Sequence, residues 1–159
     1  MSNSPEPSLA DLLRLDQQLC FALYTASRLM TRAYRPVLDP LGLTYPQYLA
    51  MLVLWEERTD GRDAPTVARL GERLLLDSGT LTPLLKRLEA QGLVRRRRSE
   101  IDEREVRVEL TEAGEALRAR ALQVPLAMLC QVDATPNDLV DLRERIRALI
   151  SAFPADDAT

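Results

Sequence analysis

The apolar residues near the start of the chain repeat at steps of three and four positions. They form a single stripe: Leu12, Leu15, Leu19, Leu23, Ala26, Met30 and Ala33. Because an α-helix completes a turn every ~3.6 residues, this spacing predicts one long amphipathic helix. Ser8 and Asp11 supply its predicted N-terminal cap, and Pro36 and Pro40 end it.

Capping residues bound five further predicted helices. In chain order these run from Thr44 to about Glu57, from Thr66 to Leu74, from Asp77 or Ser78 to the residue before Gly92, from Thr111 to about Val132 with a bend at Pro125, and from Thr135–Pro136 onward. Gln47, three residues after Thr44, completes a capping box. Gly92 suits the left-handed position that follows a helix end. The chain is therefore predicted to be mainly α-helical.

One segment departs from helical spacing. Val106-Arg107-Val108-Glu109-Leu110 alternates apolar and polar residues, which predicts a half-buried β-strand. The four consecutive arginines at 95–98 precede it across an acidic tip, so the two stretches predict a β-hairpin. A short helix, a tight turn, a second helix and a basic hairpin form a winged helix-turn-helix, a DNA-binding unit that we assign to residues 62–110.

The distribution of charge supports the same segment. The chain of 159 residues has a formal charge of −3, which by itself gives no sign of nucleic-acid binding. Residues 62–110, however, hold 11 basic against 9 acidic residues, a net charge of +2, while the remainder has a net charge of −5.

The composition excludes several other classes of protein. The chain has no apolar run long enough for a transmembrane helix and no leader pattern, so we expect a cytoplasmic protein with no membrane partner. It has two cysteines and no histidine, which excludes the usual zinc sites, and we expect no cofactor or metal.

The second helix of the DNA-binding unit presents small hydroxyl side chains first and cations later. Ser78, Thr80 and Thr82 can reach base edges in the major groove without steric cost. Lys86 and Arg87 lie two turns further on, where contact with phosphates is expected.

The hairpin supplies the other predicted DNA contacts. Arg96, Arg98 and Arg104 fit a wing that lies along the minor groove. The alternative that composition leaves open is an ordinary helical fold in which the arginines are a solvated strand face.

Two stretches, residues 76–94 within the unit and residues 98–114 across its end, resemble the MarR family of bacterial regulators, including the Asp102-x-Arg104 pair of the family's wing. The resemblance runs from about Leu12 to Ile150. It implies a single domain over residues 1–159, a homodimer held by helices within 9–57 and 111–153, and binding to an inverted repeat of double-stranded DNA. Independently, the apolar stripes of the terminal helices exceed what a small winged-helix core needs, and their exposure would be costly.

Cys20 lies on the predicted apolar face of the first helix, where a small buried residue is the alternative to a reactive thiol. Cys20, Tyr24, Tyr34 and Tyr45 resemble the organic hydroperoxide resistance regulators, the OhrR branch of the family, in which tyrosines 14 and 25 residues after the cysteine bond to it. The resemblance implies a repressor that releases its operator when an organic hydroperoxide oxidises Cys20.

The spacing of Cys20 and Tyr34 sets a geometric condition. On a straight helix the two residues lie on about the same face but ~21 Å apart along the axis. A bend could help, but a partner subunit with an antiparallel first helix is the simpler solution. We therefore expect a sensor built across a dimer interface.

The second cysteine, Cys130, lies near the end of the predicted fifth helix, where a buried helical residue is the alternative to a redox role. The chain resembles the two-cysteine type of OhrR protein. That type implies that Cys130, expected from the other subunit, resolves oxidised Cys20 as a disulfide.

Three other functions remain open at this point. A MarR-type repressor released by a small phenolic or aromatic ligand would leave Cys20 without a redox role, and an architectural DNA-binding protein would need no sensor. A thiol peroxidase is disfavoured because the chain lacks a thioredoxin-like βαβ pattern, a CxxC motif and a histidine base. We therefore do not expect an enzyme.

Overall fold

The computed structural model of the chain describes residues 13–99, 102 and 104–153. In this part of the chain the elements are α1 (Leu19–Leu38), α2 (Tyr45–Thr59), α3 (Val67–Leu74), α4 (Ser78–Ala90), β1 (Val94–Arg98), β2 (Val106–Leu110), α5 (Glu112–Ala121), α6 (Gln123–Leu129) and α7 (Pro136–Ser151). Short 3₁₀ turns precede α1 at Leu15–Gln17 and follow it at Asp39–Leu41. The predicted mainly α fold with a β-hairpin wing is confirmed.

The first predicted helix begins later than expected. Gln18 is extended (φ −85°, ψ 114°), so the described helix begins only at Leu19. The predicted cap at Ser8 and Asp11 lies outside the described residues. At its other end α1 runs past Pro36 and stops before Pro40, within the interval that the two prolines predicted. The two residues that follow Pro36 continue α1, and burial of Leu38 in the core favours this extension.

The predicted caps are confirmed for the middle of the chain. The backbone N–H of Thr44 donates to Gln47 Oε1 at 2.8 Å, as the capping box requires. Thr66 and Asp77 cap α3 and α4 with side-chain oxygens that accept backbone N–H groups. Gly92 has φ 72°, the left-handed conformation expected after a helix end.

The predicted helix from Thr111 is interrupted in the structure. It breaks into α5 and α6 at Leu122, and α6 ends at Leu129, before the predicted end at Val132. Pro125 explains the break, because its ring crowds the carbonyl of the residue four positions earlier, Ala121, and cannot donate to it. The last helix begins as predicted, with a capping box of Thr135 and Asp138.

The core surrounds α2, and the helix-turn-helix and hairpin pack on it. Its largest fully buried side chains are Leu38, Met51, Leu70, Leu81, Leu85, Leu88, Val94, Val108 and Val124. The antiparallel hairpin pairs Val94 with Leu110 and Arg98 with Val106. Val108 N–H donates to Pro65 O at 2.9 Å, which ties the hairpin to the start of α3. Because α4 and β2 both pack on α2, the DNA-binding unit is fixed to the helical body through the recognition helix and the hairpin.

A buried carboxylate fastens α3 to α2. Glu57 is 5% exposed and accepts hydrogen bonds from Arg62 at 3.0 Å and from Arg73 at 3.1 Å. Each carboxylate oxygen thus has a cationic partner, which a buried charge requires.

The terminal helices leave apolar side chains in solvent. No residue of α7 is buried, and Leu38 is the one buried residue of α1. Large exposed side chains on these helices are Leu19, Phe21, Tyr24, Leu29, Met30, Val140, Leu142 and Ile150. No helix of the described part is long and apolar enough to cross a membrane.

Candidate redox centre and nucleic-acid interface

Cys20 is the second residue of α1 and is exposed in the single chain. The expectation of a small buried residue therefore does not hold within one subunit. Its neighbours Leu19 and Phe21 are 58% and 40% exposed, so the thiol lies on an open apolar surface.

Tyr34 and Tyr45 come together as the sequence predicts, in a cluster of aromatic rings between α1 and α2. Their ring centroids lie 4.7 Å apart, and Tyr48 adds a third ring whose centroid lies 6.0 Å from that of Tyr34. Burial raises the pKa of all three phenols above the ordinary value of 10.0. The hydroxyl groups therefore keep their protons at neutral pH and can donate hydrogen bonds to an anionic sulfur.

Sequence reasoning missed Tyr48. The signal was available, because Tyr48 follows Tyr45 by three residues on the same helix and so shares its face. Its ring is 4% exposed.

The structure does not bring Cys20 to this cluster within one chain. Cys20 and Tyr34 lie on the same unbroken helix, 14 residues apart, which places them about 21 Å apart along the axis. Cys20 and Tyr34 of one chain are therefore too far apart to touch, as the sequence spacing predicted.

Tyr24 lies one turn after Cys20 on α1 and is 59% exposed. Arg28 reaches back to it: Nη1 donates to the Tyr24 hydroxyl at 3.4 Å, and the guanidinium carbon lies 5.5 Å from the ring centroid. Sequence reasoning did not identify Arg28, although side chains four residues apart on a helix are neighbours.

Cys130 is the C-cap residue directly after α6, and it is exposed. Its backbone N–H still donates to Leu126 O at 3.3 Å. Since α6 packs against α1 of the same chain, the two helices that carry cysteines are in contact.

The recognition helix α4 presents its polar residues as predicted. Ser78, Thr80, Lys86 and Arg87 are exposed and Thr82 is half-buried, while the opposite face supplies four buried leucines to the core. Asp77 caps the helix: Oδ1 accepts the Thr80 N–H at 2.8 Å and Oδ2 accepts the Thr80 hydroxyl at 3.0 Å.

The three predicted wing arginines have different surroundings. Arg98 is exposed at the end of β1 and Arg104 is exposed beyond the hairpin tip. Arg96 is held by Glu89 of α4, with Nη2 at 2.7 Å and Nε at 3.0 Å from Oε2. The backbone N–H of Arg96 also donates to Glu89 Oε1 at 2.9 Å, and these bonds hold the pKa of Glu89 below its ordinary value. Arg96 thus fixes the wing to the recognition helix.

A short hydrogen-bond chain joins the start of α2, the helix that carries Tyr45 and Tyr48, to the end of the recognition helix. Gln91, the C-cap residue of α4, donates to Gly42 O at 2.8 Å in the turn between α1 and α2, and accepts from Gln47 Nε2 at 3.4 Å. Gln47 belongs to the capping box that begins the helix carrying Tyr45. The start of α2 and the end of α4 are therefore connected by side chains.

Comparison with known proteins places the chain among DNA-binding regulators. A family model described as "Transcriptional regulator SarA/Rot" matches residues 32–120. The organic hydroperoxide resistance transcriptional regulator of Bacillus subtilis is 49% identical over 90% of this chain and 94% of its own length. The HTH-type transcriptional regulator TtmR of Methylorubrum extorquens is 56% identical over 91% of this chain and 76% of its own length.

Among solved structures, reduced AbfR bound to DNA is 37% identical, with a TM-score of 0.68 over 89% of this chain and 97% of AbfR. AbfR is a protein of Staphylococcus epidermidis whose structure is also known with a disulfide formed.

Proposed function

This chain belongs to the MarR/SarA-type winged-helix transcriptional regulators, and we propose that it is a dimeric repressor released from its operator when an organic hydroperoxide oxidises Cys20. The observation that carries the proposal is the aromatic cluster of Tyr34, Tyr45 and Tyr48, three neutral hydrogen-bond donors that Cys20 of the same chain does not reach. As a DNA-binding repressor it acts in the cytoplasm.

The DNA-binding role rests on residues 62–110. Exposed hydroxyl groups at the start of α4 face the major groove, and the exposed Lys86, Arg87, Arg98 and Arg104 contact the phosphate backbone or the minor groove. The curated relatives are transcriptional regulators. Reduced AbfR, whose fold is similar to that of this chain, has been solved bound to DNA.

The dimer covers the apolar faces of α1 and α7, with residues 9–57 and 111–153 forming the interface. Leu142 is 53% exposed and Ile150 is 54% exposed in the single chain. Contact of these apolar side chains with water is unfavourable, and a second subunit packed on them removes that contact. A two-fold dimer then presents two recognition helices to an inverted repeat. Leu142→Asp should shift the mass measured by light scattering toward the monomer.

The proposed chemistry consumes one hydroperoxide and two thiols. The Cys20 thiolate attacks the terminal peroxide oxygen, the O–O bond breaks, and the alkoxide takes up a proton and leaves as an alcohol. Cys20 becomes a sulfenic acid. The Cys130 thiolate of the partner subunit then attacks the Cys20 sulfur, an S–S bond forms, and hydroxide leaves as water after protonation. Disulfide-formed AbfR supports this second step.

The first experiment measures DNA binding before and after oxidation. Reduced protein is bound to the DNA upstream of its own gene and treated with one equivalent of an organic hydroperoxide, with Cys20→Ser beside it. We expect the wild type to release the DNA, dithiothreitol to restore binding, and the variant to stay bound. If both stay bound, the redox proposal is wrong and small phenolic ligands are the next class to test.

A second experiment tests whether the sensor spans two subunits. Heterodimers are made from one Cys20→Ser chain and one Tyr34→Phe chain. If each cysteine uses the partner's tyrosines, one intact sensor remains and peroxide reactivity approaches half that of the wild type. If the sensor lies within one chain, the remaining Cys20 belongs to the chain that has lost its Tyr34 hydroxyl, and it reacts as slowly as in the Tyr34→Phe homodimer.

A further inference from the structure

The capping contact at the start of α4 fixes the direction in which one hydroxyl group can bond. Thr80 is exposed and gives both of its donors to Asp77, its N–H to Oδ1 and its O–H to Oδ2. These two bonds, the backbone one first, lower the pKa of Asp77 below 3.8, so the carboxylate is ionised at neutral pH and can only accept. The hydroxyl proton of the pair therefore comes from Thr80.

With its proton committed to Asp77, Thr80 presents only lone pairs and a methyl group to a ligand. In the major groove the available donors are the exocyclic amino groups of adenine and cytosine, whereas guanine presents two acceptors and thymine one acceptor and a methyl group. Donation to a carboxylate also makes the hydroxyl oxygen a better acceptor.

From this geometry we propose that Thr80 reads an exocyclic amino group, adenine N6 or cytosine N4, at one position of each half-site, and that Asp77 is the positioning residue that sets this preference. The inference rests on the proposed DNA-binding role of α4. A Cβ at Gly79 would lie 3.0 Å from Asp77 Oδ1, so the absence of a side chain there leaves room for the carboxylate that accepts both Thr80 hydrogen bonds.

The preferred half-site is first selected from randomised duplexes with the reduced wild-type protein. Each adenine or cytosine in it is then replaced by purine or 2-pyrimidinone, which lack the amino group. At one position we expect the wild-type Kd to rise about three- to tenfold. Thr80→Val should be insensitive to this replacement, and Thr80→Ser, which keeps the hydroxyl, should remain sensitive.

Asp77→Asn gives the sharper test because it should reverse the preference. Asparagine caps helices as well as aspartate does. When its carbonyl oxygen takes the Thr80 N–H, its amide nitrogen faces the hydroxyl and donates to it, which turns the Thr80 proton outward. Binding should then favour guanine or thymine at that position. Thr59→Ala is the control, because it removes a hydroxyl that donates to Trp55 O at 2.6 Å at the end of α2, and it should leave the preference at that position unchanged.

The outcomes separate the two levels of the proposal. If no duplex is enriched, the DNA-binding function fails and the assignment fails with it. If a half-site is enriched but the Thr80→Val and base-analogue effects simply add at every position, only the assignment of Thr80 is overturned. An unchanged base preference in Asp77→Asn overturns the role of Asp77.

Discussion

Replacing Gly114 by alanine should destabilise the protein, although local helix propensity predicts the opposite. Gly114 is the third residue of α5, and in an exposed helix the exchange would stabilise by about 1 kcal/mol. Here a Cβ would lie 2.0 Å from Leu93 O and 3.0 Å from Leu93 C. Because ordinary contact begins near 3.4 Å, the helix and the start of the wing would have to part by about 1.4 Å.

That displacement would also lengthen or break two hydrogen bonds. Gly114 O accepts the indole N–H of Trp55 at 2.9 Å in the core, and Leu93 O accepts the Thr111 N–H at 3.1 Å. Overpacking costs about 1–3 kcal/mol, and an unsatisfied buried donor costs about 1–3 kcal/mol more. After the gain in propensity we expect a net loss of about 3 kcal/mol, a large part of the ~5–15 kcal/mol typical of a domain.

Urea unfolding at a fixed protein concentration measures this loss, with fluorescence of Trp55, the one tryptophan of the chain, as the signal. Gly92→Ala is the matched control: its φ of 72° is unfavourable for alanine, but nothing lies within 4 Å of the new Cβ. It should cost about 1 kcal/mol. A Gly114→Ala protein as stable as the wild type would refute the reasoning.

Three further predictions follow from particular contacts. Arg98→Gln should make the negative slope of log K against log salt shallower by about 0.9, because one phosphate contact is lost. Arg96→Gln should weaken DNA binding with an unchanged slope, because Glu89 holds the Arg96 guanidinium. Equal slopes in the two variants would contradict this assignment. Burial raises the pKa of Tyr48, so the folded protein keeps the phenol proton at a pH where the unfolded chain has lost it. The free energy of unfolding is therefore unaffected by this group below pH ~10 and falls as pH rises from there through the raised pKa. The urea midpoint should fall less over that range in Tyr48→Phe than in the wild type. Gln91→Leu removes the bond to Gly42 O and should reduce the loss of DNA affinity on peroxide treatment while the rate of Cys20 oxidation stays unchanged.

The sequence by itself determined the elements whose causes are local. Thr44, Asp77 and Thr135 each cap a helix through residues within three positions, and the alternation in β2 follows from its period of two. The winged helix-turn-helix order followed from these elements, and the family resemblance carried by Tyr34 and Tyr45 predicted that these two residues act together, consistent with the contact between their rings.

Only the tertiary structure decided which side chains meet across the chain. The four arginines of β1 look equivalent in sequence, yet Glu89 of α4 holds Arg96 and leaves Arg98 exposed. The same applies to Gly114, whose lack of a side chain matters because Leu93 passes beside it, and to Tyr48, which completes the aromatic cluster. The physical reason is that a linear pattern specifies neighbours three or four residues away, whereas contacts between elements depend on how the chain turns and packs around a shared core.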